Sequence, residues 1–243
     1  YVGSQLGGGD LDGDGYDELL IGAYGDDHPD PKTGSLFIMA GGPDEPVPVR
    51  TAQFDKDAHI YGETENAQVG RWNPSAIGDV NGDGVNDLVV SSPGTESVHV
   101  FYTAGSLLGS SFETSAADLT ISGIDESSHF GVGLTVGDFD DDSFDDIAIG
   151  APDEANPGDG DADSEGHVYI FFGGEIIGSS LTASFAGAHF YGRTEGDNFG
   201  ALLRSGFDLN ADGRQDIVIG APGHTLTDDD AGQVHILMMP GGR

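Results

Sequence analysis

Cysteine is absent from this chain, so a disulfide framework, a thiolate metal site and thiol catalysis are all closed to it. Basic residues are almost as scarce, with eight Lys and Arg against 43 Asp and Glu, a formal charge of −35. A field of that sign repels phosphate backbones and anionic membrane surfaces, which excludes nucleic acid as a partner and favours cations or basic surfaces. It also repels itself in the compact state, so the fold must tolerate it through bound metal ions, high salt or both. Only two lysines are present, Lys32 and Lys56, as a halophilic adaptation to a salt-rich habitat would produce. No apolar run reaches the roughly 18 residues of a membrane span, so no direct membrane insertion is read here. Tyr1-Val2-Gly3-Ser4 lacks the charged start and apolar stretch of a secretion signal, and so abrupt a start is expected of a piece of something longer. Helical periodicity is missing as well.

What is plentiful is glycine, 41 residues without a collagen-like period, beside an ordinary apolar fraction of 37%. That combination reads as many short strands joined by sharp turns. One phrase occurs four times: GDLDGDGYDELLIGA from Gly9, GDVNGDGVNDLVVSSP from Gly78, GDFDDDSFDDIAIGAP from Gly137 and FDLNADGRQDIVIGAP from Phe207. Its first acidic residues, Asp10, Asp79, Asp138 and Asp208, are separated by 69, 59 and 70 residues. Each phrase follows an apolar residue and glycine (Leu6-Gly7, Val69-Gly70, Phe130-Gly131, Phe199-Gly200) and precedes a second strand-like run starting near Ser35, Ser97, Gly166 and Gly232. A further β-rich segment closes each repeat except the last, giving approximate repeats 1–62, 63–123, 124–192 and 193–243. About four short strands per repeat, at a period typical of propellers and other arrays, predicts an all-β fold of bladed sheets. The run after each acidic loop is continuously apolar, as expected of a strand covered on both faces by neighbouring blades. The acidic stretches 26–32, 156–165 and 225–231 read as hydrated loops and are assigned no site.

The loop itself places Asp at position 1, Asp or Asn at 3, Asp at 5, usually Gly at 6, and Asp or Glu at 9. Hard cations such as Ca²⁺ take six to eight oxygens, and alternate residues of a tightly curled loop aim their oxygens at one centre. The first set is Asp10, Asp12, Asp14 and Glu18 with the Tyr16 carbonyl, and the second Asp79, Asn81, Asp83 and Asp87 with the Val85 carbonyl. The third is Asp138, Asp140, Asp142 and Asp146 with the Phe144 carbonyl, and the last Asp208, Asn210, Asp212 and Asp216 with the Arg214 carbonyl. About four Ca²⁺ ions are therefore expected, and the all-oxygen donor set disfavours zinc and copper. An EF-hand would close with a bidentate Glu at position 12, where this chain has Ile21, Val90, Ile149 and Ile219. In the third loop Ser143 replaces the turn glycine; if that position needs positive φ the cost is about 1 kcal/mol and the site is looser.

Phe-Gly, then Gly-Asp-x-Asn-Gly-Asp-Gly-x-x-Asp, then an apolar run ending Gly-Ala-Pro resembles the FG-GAP repeat of the integrin α-subunit β-propeller across essentially the whole chain. The resemblance implies four-stranded antiparallel blades, Ca²⁺ in the loop between the first two strands of each blade, and ligand binding on the propeller face. It also implies an extracellular or cell-surface location, a protein or glycan ligand, and a seven-bladed ring of which four repeats are present, with further blades or domains elsewhere. Departures are Leu6 and Val69 in the Phe place and Ser91-Ser92 for Gly-Ala, while the missing cysteines of animal integrins favour a prokaryotic relative.

Some lyases and phospholipases carry similar propellers, so the alternative is a domain of a secreted polysaccharide- or lipid-acting enzyme. The sequence has no Gly-x-Ser-x-Gly elbow and no Lys-bearing phosphate loop. Its eight histidines suggest no cluster; His99 and His235 occupy matching places on a strand face, which explains them without catalysis. A binding module is thus the expected role. Four blades are expected to form an open arc, with closure into a small four-bladed disc as the alternative.

Overall fold

The computed structural model describes residues 2–27, 33–43, 56–72, 75–102, 107–155, 164–176, 178–225 and 231–239. Strands β1 (Leu6–Gly9), β2 (Glu18–Ala23), β3 (Ser35–Met39) and β4 (Ala58–Tyr61) form the first antiparallel blade. The second uses β5 (Ser75–Gly78), β6 (Asp87–Ser92), β7 (Ser97–Phe101) and, after the short β8 (Ser111–Glu113), β9 (Leu119–Ser122). Next come β10 (Gly133–Gly137), β11 (Asp146–Ala151) and β12 (His167–Phe171), completed after the short β13 (Ser180–Thr182) by β14 (Ala188–Tyr191). The fourth sheet is β15 (Leu202–Phe207), β16 (Asp216–Ala221) and β17 (Gln233–Leu237). No α-helix occurs among the described residues. This is the all-β propeller-type architecture that the repeats predict.

In the two inner sheets the second strand is rich in apolar residues because it is buried from both sides. On β6, Leu88 and Val90 join a core with Leu36, Ile38 and Ile60 of the first blade, whereas Val89 joins the core formed with Ile147 and Ile149 of the third. β11 repeats the arrangement, with Ala148 turned to Ile217 and Ile219 of the fourth blade. Every residue of β6 and β11 is buried. Alternation along a strand therefore separates two cores rather than core from solvent.

The recurring Phe-Gly and Gly-Ala words mark where backbones of adjacent blades touch. A Cβ on Gly22 would lie 2.2 Å from the Gly70 carbonyl oxygen, and one on Gly150 2.0 Å from that of Gly200. Any side chain there would push the blades apart. At the remaining junction Ser91 stands in the Gly22 place, and Gly131 gives way by relaxing the approach, its hypothetical Cβ lying 3.2 Å from the Ser91 Cβ.

Two strands depart from the blade-by-blade plan. β8, from the segment leading into β9, adds to β4 in parallel (His59 opposite Ser111), and β13 adds in the same way to β9 (Thr120 opposite Ser180). The first blade is thus stitched to the second, and the second to the third, by a strand. The inner strands β1, β5, β10 and β15 pack in that order, and among the described residues β15 makes no comparable contact back to β1, which leaves an open arc of blades. Apolar side chains lie bare at both ends of it: Leu6 and Leu19 on the first blade, Leu202, Val234 and Ile236 on the fourth.

Candidate metal centre

Each acidic loop joins the first two strands of its sheet, and all four fold around the position-1 carboxylate. Asp10 accepts from the N–H groups of Gly13 (2.8 Å) and Gly15 (3.0 Å). Asp79 does so from Gly82 and Gly84, Asp138 from Asp141 and Ser143, and Asp208 from Asp212 and Gly213. The position-5 carboxylate accepts from the position-7 N–H every time: Asp14 from Tyr16, Asp83 from Val85, Asp142 from Phe144, Asp212 from Arg214. Curling the chain this tightly requires left-handed backbone at positions 4 and 6, and the loops adopt it throughout, including at Asp141 (φ 67°), Ser143 (φ 74°) and Ala211 (φ 60°). Ser143 thus carries the strain anticipated from its sequence. Replacing Ser143 with glycine is expected to relieve about 1 kcal/mol, less the entropy that glycine adds to the unfolded chain. Thermal melting in chelator should show Ser143→Gly at or slightly above the parent, whereas a clear loss of stability would refute the strain.

Position 9 is the buried floor of each loop. Glu18, Asp87, Asp146 and Asp216 are each at most 1% exposed. Their carboxylates also tie the loop down: Glu18 accepts from Leu11 N–H (2.7 Å), Asp87 from Val80 (3.0 Å), Asp146 from Phe139 (2.8 Å) and Asp216 from Leu209 (2.7 Å). Asp146 further accepts from Gly173 N–H at 2.8 Å, anchoring the loop to the end of β12.

The carboxylates of Asp10, Asp12 and Glu18 lie within 4.8 Å of one another, as do those of Asp138, Asp140 and Asp146. Asp14 and Asp142 stand outside these groups. In the second and fourth loops Asn81 and Asn210 supply position 3, and each amide donates to the position-5 carboxylate, Asp83 (3.1 Å) or Asp212 (2.9 Å). The donor set suits a hard cation, and the loops show the cost of holding it without one. Burial, then Asp140 and Asp142 close by, push the Asp146 carboxyl up to about 7, although its two N–H donors pull the other way. In the fourth loop, Oδ1 of the fully buried Asp216 has no hydrogen-bond partner among the described residues. A buried carboxylate oxygen left so is unfavourable unless a cation meets it.

Position 8, unmarked by any metal logic, links one loop to the next. The Asn86 amide donates to the Asp10 carbonyl at 2.6 Å. Asp145 accepts from Asp79 N–H at 2.9 Å, while its own N–H donates to the Asp79 carbonyl, also at 2.9 Å. Gln215 N–H donates to the Asp138 carbonyl at 3.3 Å. No spacing rule could have revealed these contacts, because they join residues far apart in the chain and exist only once blades stack.

The absence of a histidine cluster, expected from the sequence, needs correction. In the third blade His189 Nε2 and His167 Nδ1 are 2.8 Å apart, and the Tyr169 hydroxyl donates to Glu154 at 2.6 Å. The residues come from the turn after β11 and from β12 and β14, so only strand pairing assembles them. Burial, and then the neighbouring His189, lower His167 to about 4, so it is neutral at physiological pH and one ring donates to the other. The first blade has Asp26, Ser35 and His59 at the same places. These are the residue types of a catalytic triad in the wrong order: the Ser35 hydroxyl donates to Asp26 (2.6 Å), leaving His59 Nε2 (2.8 Å) to donate rather than act as base. Ser35 is also fully buried. His99 lies on β7 as anticipated, buried beside Thr120, and desolvation lowers it to about 4. Of the acidic stretches, residues 28–32, 156–163 and 226–230 lie outside the described residues.

Bladed antiparallel sheets with an oxygen-rich loop between their first two strands define a propeller-type repeat protein with candidate divalent-cation sites. The chain belongs to the FG-GAP repeat family, matching it over residues 2–39, 75–101, 130–171 and 199–237. Among its relatives, integrin alpha-4 of Xenopus laevis is 32% identical over 76% of this chain and 18% of its own length. Phosphatidylinositol-glycan-specific phospholipase D of Bos taurus is 32% identical over 91% of this chain and 26% of its own. Integrin alpha-M of Mus musculus reaches 43% identity over 40% of this chain and 8% of its own. The chain thus spans about a quarter or less of these relatives, one of which is named as an enzyme.

Proposed function

We propose that this chain is a Ca²⁺-stiffened propeller segment that recognises a protein or glycan outside the cell or at its surface. Position 1, 3, 5 and 9 side chains and the position-7 carbonyl of each loop are the proposed ligands, one ion per loop. The observation that supports it best is the fourfold recurrence of one hydrogen-bonded frame around a buried position-9 carboxylate. Bound Ca²⁺ would offset part of the acidic repulsion and, through Asn86, Asp145 and Gln215, brace each loop against its neighbour. Rigid blades then present the variable loops, where ligand chemistry resides. The recognition role rests on the FG-GAP family that the chain shares with its integrin relatives.

The test is retention of the purified chain on arrays of glycans and extracellular proteins, in millimolar Ca²⁺ and in excess chelator. Selective retention that chelator abolishes is expected. Absence of any selective retention, or turnover of a lipid or polysaccharide by the isolated chain, would overturn the reading.

A further inference from the structure

Two outer strands of this chain are covered and one is not. β4 is covered by β8, whose Phe112 packs into the core between the first and second blades. β9 is covered by β13, whose Leu181 packs into the core between the second and third. The first contacts are alike: Ser110 O accepts from His59 N–H at 3.2 Å, and Ser179 O from Thr120 N–H at 3.1 Å. β14 is the third outer strand, and among the described residues no strand pairs with its far edge. Its residues alternate between half-buried and exposed, with Tyr191 57% exposed, whereas those of β4 and β9 are buried or half-buried. Behind that edge, between the third and fourth blades, lies a cavity of about 400 Å³ lined by Phe190, Tyr191, Arg193, His224, His235 and Ile236. His224 is 8% exposed, donates from Nδ1 to Asp197 (2.7 Å), and has no partner at Nε2 among the described residues.

We propose that the edge of β14 and this cavity seat an extended segment that belongs with the fourth sheet as β8 and β13 belong with the second and third, laid parallel to β14 with one leucine or phenylalanine filling the cavity. The pattern required is the one this chain uses twice, Ser111-Phe112-Glu113 and Ser180-Leu181-Thr182, each followed by a single 3-10 turn. In the register of the two covered strands the donor to the incoming chain is the His189 N–H, the counterpart of His59 and Thr120. Exposed strand edges bind extended chains in this way, backbone bonds giving affinity and side-chain pockets giving selectivity.

The test joins a copy of residues 178–187 after Arg243, which gives the copied strand the same eight-residue connection from β17 that β13 has from β12. Hydrogen exchange at the His189 amide should slow at least tenfold relative to the parent chain. A control copy with aspartate in the Leu181 place should leave it unchanged. Equal protection by both copies, or by neither, would overturn the proposal. So would protection of His189 in the parent chain that rises with protein concentration, because a second copy would then be the occupant.

Discussion

In excess chelator the chain is expected to melt some 10 to 20 °C below its melting point in Ca²⁺ at about ten times the site dissociation constants. Fourteen carboxylates occupy positions 1, 3, 5 and 9 of the four loops. Without cations they repel one another over short distances, and the buried position-9 groups bear the largest desolvation cost. Saturation at ten times the dissociation constant contributes roughly 1.4 kcal/mol per site, or about 6 kcal/mol for four independent sites. A chain of this size shifts by roughly 2 to 4 °C per kcal/mol. Adding about 1 M NaCl to the chelated protein should recover part of the loss, since the Debye length falls to about 3 Å and screens the surviving repulsion. A melting point indifferent to chelator would remove calcium from the account. Indifference to salt would show that the acidity is no adaptation to a saline habitat.

Asp146→Ala is expected to be the most damaging single substitution in the loops, because Asp146 has two tasks. It is a proposed cation ligand, and it satisfies the buried N–H groups of Phe139 and Gly173. Each buried donor left without an acceptor costs about 1 to 3 kcal/mol, partly offset in the cation-free protein by removal of an unfavourably buried carboxylate. With Ca²⁺ present the expected loss is therefore about 3 to 5 kcal/mol, and in chelator it shrinks without vanishing. Asp142→Ala separates the two roles, since Asp142 is exposed and, among the described residues, holds only the Phe144 N–H. It should lower the calcium-dependent gain in melting temperature while leaving the chelated protein close to the parent. Equal behaviour of the two variants in chelator would show that the position-9 carboxylate does not hold the loop together.

The loops were legible in the sequence because each demands a particular residue at a particular place, and the glycines of the blade junctions were legible as recurring words although not as points of contact. A cation needs oxygens at fixed positions, which made Asp10, Asp79, Asp138 and Asp208 stand out, and touching backbones need glycine at Gly22, Gly70, Gly150 and Gly200. The consequence of Ser143 was legible too, and its φ of 74° is the left-handed value the turn requires. β8 and β13 were not, because three residues with one apolar side chain carry no periodicity, and their partners are fixed by parallel pairing across a junction. Asn86, Asp145 and Gln215 look like spacers until the blades stack. His167 and His189 look unrelated until β12 and β14 pair, which places Tyr169 opposite His189 and brings the rings together.

The central claim is that four loops of one construction each bind one Ca²⁺ ion, and calorimetric titration of the decalcified chain tests it most directly. The account predicts a stoichiometry of about four, falling by one in Asp142→Ala. A stoichiometry of two would restrict binding to the first and third loops, where three carboxylates converge, and contradict the fourfold claim; no uptake at all would contradict calcium binding altogether.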